Sequence, residues 1–304
     1  MVIAELLQQT TSNEAIQFEK IVRGYDNEVY AVTTRQGFDY IVRIQQYGST
    51  GFAEEDWALA QCRAAGAPVP DVCHVGTLTV DGQSKLVMVQ RRIPGRPLAD
   101  IQQRLSQAEL AHIYAQVGAA LSQIHSVKVG GFYKLNSGGV WDFPDWASIA
   151  AADLHDRQGE RPYLHQAGFS AKEIDRLLAI MEQTPTPVDQ QPVLCHGDLG
   201  PDHLFVDGSL TLTGIIDFGE FQGGLPMVDF VSLSLASPAV DLAWLQVGYT
   251  NQALFVDHFT ARLRQGQVSY LIGYLAHCVR IQDEAEVKQA TQRLHQILGE
   301  RNEQ

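Results

Sequence analysis

Leu194-Cys195-His196-Gly197-Asp198-Leu199-Gly200-Pro201-Asp202-His203-Leu204-Phe205-Val206, followed shortly by Gly214-Ile215-Ile216-Asp217-Phe218-Gly219, is the stretch that decides the fold. Residues 193–195, 204–206 and 213–216 are apolar and read as short buried strands bracketing polar loops. Loops held on rigid strands are good places for functional side chains. One carboxylate, Asp198, lies in a tight turn; a second, Asp217, ends an apolar run; His203 stands between them. Phosphoryl transfer asks for this layout, because the protein's share of that chemistry is to hold an acceptor hydroxyl, neutralise phosphate charge with a divalent ion and align the two. Asp198 is the candidate base or positioner for the hydroxyl, and His203 and Asp217 are the candidate metal ligands. A lone His-Gly-Asp is usually a capped turn, and Asp-Phe-Gly occurs by chance. The weight lies in their joint occurrence, each after an apolar run.

With Asp229-Phe230 added, these strings resemble the aminoglycoside phosphotransferase family of kinases, relatives of choline kinase and, distantly, of protein kinases. The resemblance implies an α+β, protein-kinase-like two-lobed fold. Residues 1–93 would form a small β-rich N-terminal lobe that binds nucleotide, and residues 94–304 a larger, mainly helical lobe for catalysis and acceptor binding. It also implies that Asp198 is the catalytic carboxylate, that His203 and Asp217 bind metal, and that His196 and Asp229 support the catalytic loop, Asp229 by accepting backbone hydrogen bonds. Asn is usual where His203 stands, and His there is similar to the macrolide and some aminoglycoside members. Mg²⁺ prefers oxygen ligands whereas imidazole suits Mn²⁺, so Mg²⁺ is the expected ion with Mn²⁺ as the alternative.

Upstream, Phe18-Glu19-Lys20-Ile21-Val22, Val29-Tyr30-Ala31-Val32 and Phe38-Asp39-Tyr40-Ile41-Val42-Arg43-Ile44 read as strands, with Gly24-Tyr25-Asp26-Asn27-Glu28 as the first turn. That turn resembles the short phosphate-covering loop of small-molecule kinases. Arg43 sits where the family places the basic residue that meets the α- and β-phosphates, commonly Lys. Arg grips phosphate bidentately and stays charged, but its planar head is not equivalent to an ammonium. Glu55, Leu59 and Cys62 follow helical spacing, which makes Glu55 the expected ion-pair partner of Arg43 and Glu54 the adjacent alternative. The strand at 85–91 runs into Pro94-Gly95 and marks a lobe boundary. By the resemblance, backbone groups of Arg91 and Ile93 meet the purine of ATP or GTP, a choice that backbone contacts leave open.

Beyond that hinge, 105–124 has the period of an amphipathic helix, opened by a Ser106-x-x-Glu109 capping box and ending at His125-Ser126. His125 reads as a packing histidine. Residues 130–139 read as a loop. Trp141-Asp142-Phe143-Pro144-Asp145-Trp146 is either a stacking surface for a cationic or sugar-like acceptor or a helix start capped by Asp145, the second being favoured. After Asp217 the chain lacks the long activation segment of protein kinases, so the acceptor is expected to be a small molecule. The remainder is helical in pattern. Asp283, Glu284 and Glu286 could meet an amine, but charges at helix ends are usually just solvated.

The chain has 304 residues, enough for one two-lobed unit with a sizeable core, and 45% of them are hydrophobic. A formal charge of −13 disfavours nucleic acid, which wants basic surface. No signal peptide or membrane-length apolar run is evident, so a cytoplasmic protein without membrane partners is expected. Its four Cys show neither a metal-binding cadence nor a disulfide framework. The expected reaction is transfer of the γ-phosphoryl of ATP or GTP to a hydroxyl of an antibiotic-type or metabolite acceptor. The alternative is a catalytically silent nucleotide-binding or scaffold protein, kept alive by Arg43 and His203 and opposed by the presence of Asp198 and Asp217. Oligomeric state is not readable.

Overall fold

A computed structural model describes residues 2–21, 27–46, 51–80, 82–237, 239–256 and 258–299. Its first part is α1 (Val2–Thr11), β1 (Ala15–Ile21), β2 (Asn27–Thr34), β3 (Asp39–Gln45), α2 (Phe52–Ala64), β4 (Val72–Val80) and β5 (Gln83–Arg91). The strands form one antiparallel sheet in the order β1-β2-β3-β5-β4. Because strand side chains alternate, Tyr40, Val42 and Ile44 of β3 share a buried face with Val87 and Val89 of β5, closed by Leu6 and Leu7 of α1. The same alternation turns Arg43 to the opposite face, where α2 lies. Of the first turn, Gly24–26 falls outside the described residues.

The second part is mainly helical: β6 (Arg96–Pro97), α3 (Gln107–Ile124), β7 (Phe132–Leu135), β8 (Trp141–Phe143), α4 (Trp146–Gly159), α5 (Arg161–Gln166), α6 (Ala171–Gln183), β9 (Val193–Cys195), β10 (Leu204–Val206), β11 (Leu212–Ile215), β12 (Gln222–Gly224), α7 (Met227–Ala236), α8 (Leu242–Gly248), α9 (Ala253–Val256), α10 (Phe259–Ile281) and α11 (Glu284–Gly299). Two small sheets, β11-β10-β6 and β8-β7-β12-β9, hold the loops between them. A core of Ile113, Val117 and Leu121 from α3 with Leu194, Leu204 and Ile215 from the strands fixes those loops beneath α2, which adds Leu59 and Cys62. A second core joins α6, α7, α10 and α11 through Leu177, Leu235, Leu271, Leu275 and Leu294.

The capping box forms as read: the Glu109 amide donates to Ser106 Oγ at 3.3 Å, and the Ser106 amide donates to the Glu109 carboxylate at 2.8 Å. Such a cap is worth about 1 kcal/mol. His125 is the C-terminal cap of α3. Residues 130–139, read as a loop, contain β7. Flanking glycines hide that strand in the sequence, yet Gly131 is there because a Cβ would lie 2.6 Å from the Phe143 carbonyl oxygen on β8. The four cysteines are free thiols, three of them buried. Among the described residues, no helix is long and apolar enough to cross a membrane.

Candidate functional site

The loop between β9 and β10 begins from three fully enclosed residues and turns at Gly197, whose φ is +85°. A Cβ at Gly197 would overlap the carbonyl oxygen of Glu220, so the turn demands glycine twice over, by its dihedral and by the approach of a second chain segment. Gly197→Ala is expected to destabilise the protein by about 3 kcal/mol, combining the left-handed penalty with overpacking. Chemical denaturation would read the loss, and an unchanged midpoint would show that the turn relaxes freely.

Asp229, on α7 and fully buried, organises this turn. Its carboxylate accepts from the amide of His196 at 2.9 Å, the amide of Gly197 at 2.8 Å and the His125 Nε2–H at 3.0 Å. His125 Nδ1 meets the Tyr249 hydroxyl at 2.8 Å. Burial would raise the Asp229 pKa, but the His125 hydrogen bond, the neighbouring imidazoles and the Gly197 amide outweigh it and hold the carboxyl below its ordinary value. The backbone hydrogen bonds foreseen for Asp229 are present. The His125 bridge adds a second buried layer that a lone helix-end histidine does not announce.

His196 is also enclosed, and burial depresses its pKa, so the ring is neutral. The neutral ring has one donor and one acceptor, and both are used. Nε2–H donates to the Ile216 carbonyl at 2.8 Å, and Nδ1 accepts from the Asp198 amide at 3.2 Å. Phe218 packs edge-on beneath it, with ring centroids 4.6 Å apart. His203 holds the other side of the same residue: its Nδ1 lies 2.7 Å from the Asp198 carbonyl oxygen. A carbonyl only accepts, so Nδ1 carries the hydrogen and Nε2 is the nitrogen turned away from Asp198. Thus the backbone of Asp198 is gripped by two imidazoles, while its carboxylate is exposed and accepts no hydrogen bond from the described residues.

His203 Nε2 faces Asp217, with Oδ2 3.8 Å away. Asp217 itself has φ 67° and ψ 64°, a left-handed conformation at the start of the turn over Phe218–Glu220. A non-glycine residue held there marks a position fixed by its surroundings. Its Oδ1 accepts from Arg43 Nη2 at 3.2 Å, and Arg43 Nη1 pairs with Glu55. Arg43 and Glu55 are both buried, whereas Glu54 is half-exposed, so of the two candidate partners Glu55 makes the pair. Burial opposes the Arg43 charge, but Glu55 and Asp217 more than compensate; for Glu55, burial prevails over Arg43 and pushes the pKa up. The direct Arg43–Asp217 contact is something no sequence spacing indicates.

A divalent ion is compatible with this donor set, since an imidazole nitrogen and a carboxylate oxygen face one another, and the ring's other nitrogen is oriented by a carbonyl. Another group, His125, Cys195 and Asp229, is close enough to share an ion. It is buried, and its His and Asp are engaged in the hydrogen bonds given above.

At the hinge, the Arg91 amide donates to the Asp71 carbonyl at 2.8 Å, and its guanidinium lies over the rings of Phe38 and Tyr40, at 4.4 and 5.0 Å. The Arg91 amide is thus engaged within the protein. Ile93 rests on Gly214 of β11, where a Cβ would lie 2.7 Å from its Cγ2. On the other side, Asp198 opens into a cleft of about 200 Å³ between α7, α10 and α11, lined among others by Tyr270, Tyr274, Glu286, Gln289 and Arg293. The sequence reading missed the tyrosines and Arg293. Their signal is faint: Tyr270 and Tyr274 lie four apart on α10, one helical turn from each other. The aromatic segment at 141–146 is structural: Asp145 caps α4 through the Ser148 amide at 2.8 Å, and Trp141 packs edge-on to Trp57.

Comparison with known proteins agrees with this geometry. The profile described as the phosphotransferase enzyme family matches residues 17–271. Among curated proteins, an aminoglycoside 3'-phosphotransferase of Streptomyces fradiae is 28% identical over 156 residues, which is 51% of this chain. The chain thus spans about half of that relative's length, 53%. Among solved structures, a thermostable mutant of the aminoglycoside phosphotransferase APH(4)-Ia in ternary complex with ADP and hygromycin B superposes with a TM-score of 0.72, at 18% identity, covering 98% of each chain. The GDP and kanamycin complex of APH(2")-IIIa gives 0.65, also at 18% identity and 98% coverage of each. At such identities these structures establish the fold, a kinase-like one with an antiparallel sheet lobe and a helical lobe.

Proposed function

The chain belongs to the phosphotransferase enzyme family, and from that premise we propose that it transfers the γ-phosphoryl of ATP or GTP to a hydroxyl of a small molecule. The observation that carries the reading is the double imidazole grip on Asp198, in which the second imidazole turns its other nitrogen to Asp217. One residue, His203, thereby fixes the distance between the place where a hydroxyl would be held and the place where phosphate charge would be neutralised.

In this reading the acceptor oxygen attacks the γ-phosphorus, forming one O–P bond as the bond to the β-γ bridging oxygen breaks. The nucleoside diphosphate leaves. The hydroxyl proton passes to the Asp198 carboxylate and on to solvent. Orientation is the larger part of the task, since phosphoryl transfer has a loose transition state. Arg43, held by Glu55, presents fixed charge to the α- and β-phosphates. The Arg91 carbonyl and the Ile93 amide serve the purine edge. Mg²⁺, or Mn²⁺, held by His203 and Asp217, would neutralise phosphate charge. His196 and Asp229 keep the loop in shape. The nucleotide lobe is residues 1–93 and the acceptor lobe 94–304. The setting is cytoplasmic, with nucleotide and small-molecule partners and no nucleic acid or membrane; the formal charge of −13 supports the exclusion of nucleic acid.

The test is nucleotide consumption by the purified protein with Mg²⁺ or Mn²⁺, ATP or GTP, over pooled aminoglycosides, macrolides and hydroxylated metabolites. Acceptor-stimulated turnover is expected and should fall by about 10²-fold or more in Asp217→Asn, which removes a fixed charge from the phosphate site. Nucleotide binding without turnover on any pool would instead support the silent binding protein.

A further inference from the structure

The cleft beside Asp198 has a charge content that selects among acceptors. Among the described residues its wall carries two carboxylates, Asp198 and Glu286, and one guanidinium, Arg293. In the phosphotransfer reading Asp198 is reserved for the reacting hydroxyl, which leaves a single carboxylate and a single cation for recognition. Glu286 is built into place: Oε2 accepts from the Tyr274 hydroxyl at 2.9 Å and Oε1 from Gln289 Nε2 at 3.0 Å. Each of these oxygens keeps a second lone pair for an outside donor. Arg293 is anchored by one bond, from Nη1 to the Leu235 carbonyl at 2.8 Å, and its remaining N–H groups can meet hydroxyl or ether oxygens. Tyr270, half-exposed, stacks on Tyr274 with centroids 6.0 Å apart and planes 20° from parallel. Together they form an aromatic wall against which the apolar face of a saturated ring can lie.

We infer that the acceptor is a hydroxylated ring compound, a sugar or glycoside, that is neutral or carries one ammonium group, and that Glu286 is the residue that receives that ammonium. A polyamine glycoside would bring several ammonium groups to a cleft with one free carboxylate and an opposing guanidinium. The groups left unpaired lose hydration without gaining a partner, and one faces Arg293 as a like charge. The inference rests on the phosphotransfer reading and narrows it.

The experiment compares D-glucose, D-glucosamine, erythromycin as a larger glycoside with one amine, and kanamycin as the polyamine, by nucleotide consumption and titration calorimetry on wild type, Glu286→Gln, Tyr270→Ala and Asp198→Asn. The expected result is a neutral or single-amine acceptor favoured over kanamycin by at least about tenfold in kcat/KM, since unmatched charge is heavily penalised. Glu286→Gln keeps the Tyr274 hydroxyl bonded and should raise KM for the single-amine acceptor by about tenfold with kcat nearly unchanged, the signature of lost uniform binding. Tyr270→Ala should weaken binding of neutral and single-amine acceptors alike. Preference for kanamycin, no stimulation by glucose, glucosamine or erythromycin, or an unmoved KM in Glu286→Gln would overturn the inference. If kanamycin is preferred and Asp198→Asn is inactive, only the acceptor class fails; if none of the four acceptors, kanamycin included, stimulates nucleotide consumption, the phosphotransfer reading itself fails.

Discussion

Replacing Asp198 with alanine is expected to lower acceptor-stimulated turnover by about 10²–10⁴-fold, the range seen when a positioned acid–base group is lost. Nucleotide affinity should change little. The contrast follows from the geometry, because the Asp198 backbone bonds to His196 and His203 survive the substitution while the exposed carboxylate alone is removed. The loop and the Arg43–Asp217–Glu55 cluster remain where they were. The measurement is a pair: steady-state turnover with a responsive acceptor, and direct titration of the nucleotide. Wild-type turnover in the variant would remove Asp198 from its assigned role. A parallel loss of nucleotide binding would mean that the carboxylate shapes the phosphate site as well.

Asp229→Ala attacks the same loop from behind and should act on stability first. The truncation strands the amides of His196 and Gly197 and the His125 N–H in a dry interior, and removing one member of a buried charged network costs about 3–5 kcal/mol. Urea unfolding should show that loss, with turnover falling as the loop loosens. The pH dependence has a definite sign. A carboxyl whose folded pKa is depressed stabilises the fold above its unfolded pKa, and that contribution is lost as the pH falls through the folded value. For Asp229 the window lies at and below the ordinary carboxylate range. Asp229→Asn should therefore flatten the acid limb of the stability curve relative to wild type. An unaltered acid limb would show that Asp229 is not its source.

What the sequence discloses here is local or periodic. The helix at 107–124 can be read because Ser106 and Glu109 cap it by contacts three residues apart, and β3 because its residues alternate between two faces. Asp198 and Asp217 stand out since each comes after an apolar run that reads as a strand, and His203 since it stands directly before one. Glu55 could be separated from Glu54 only in space, because adjacent helix positions point some 100° apart. The strand at 132–135 escaped since its pairing depends on partners at 141–143 and 222–224, and glycines at its start mimic a loop. The acceptor cleft is the least legible part. It draws side chains from three helices that share no motif, so nothing in the sequence signals that Tyr270, Glu286 and Arg293 line one cleft with Asp198.

The contact between Arg43 and Asp217 joins residues 174 positions apart in the chain. Closing so long a loop carries an entropic penalty before any contact compensates for it, and contacts of this separation belong to the late, slow stage of assembly. Arg43 arrives on a strand whose hydrophobic face is completed by local neighbours, and Asp217 on a loop anchored by the helical half. Each half can acquire its own secondary structure before the two carboxylates share the guanidinium. Turnover is thus a reporter of docking: during refolding it should return only after helix and sheet signals have recovered, at the moment when the sheet is seated on the loop that follows β11.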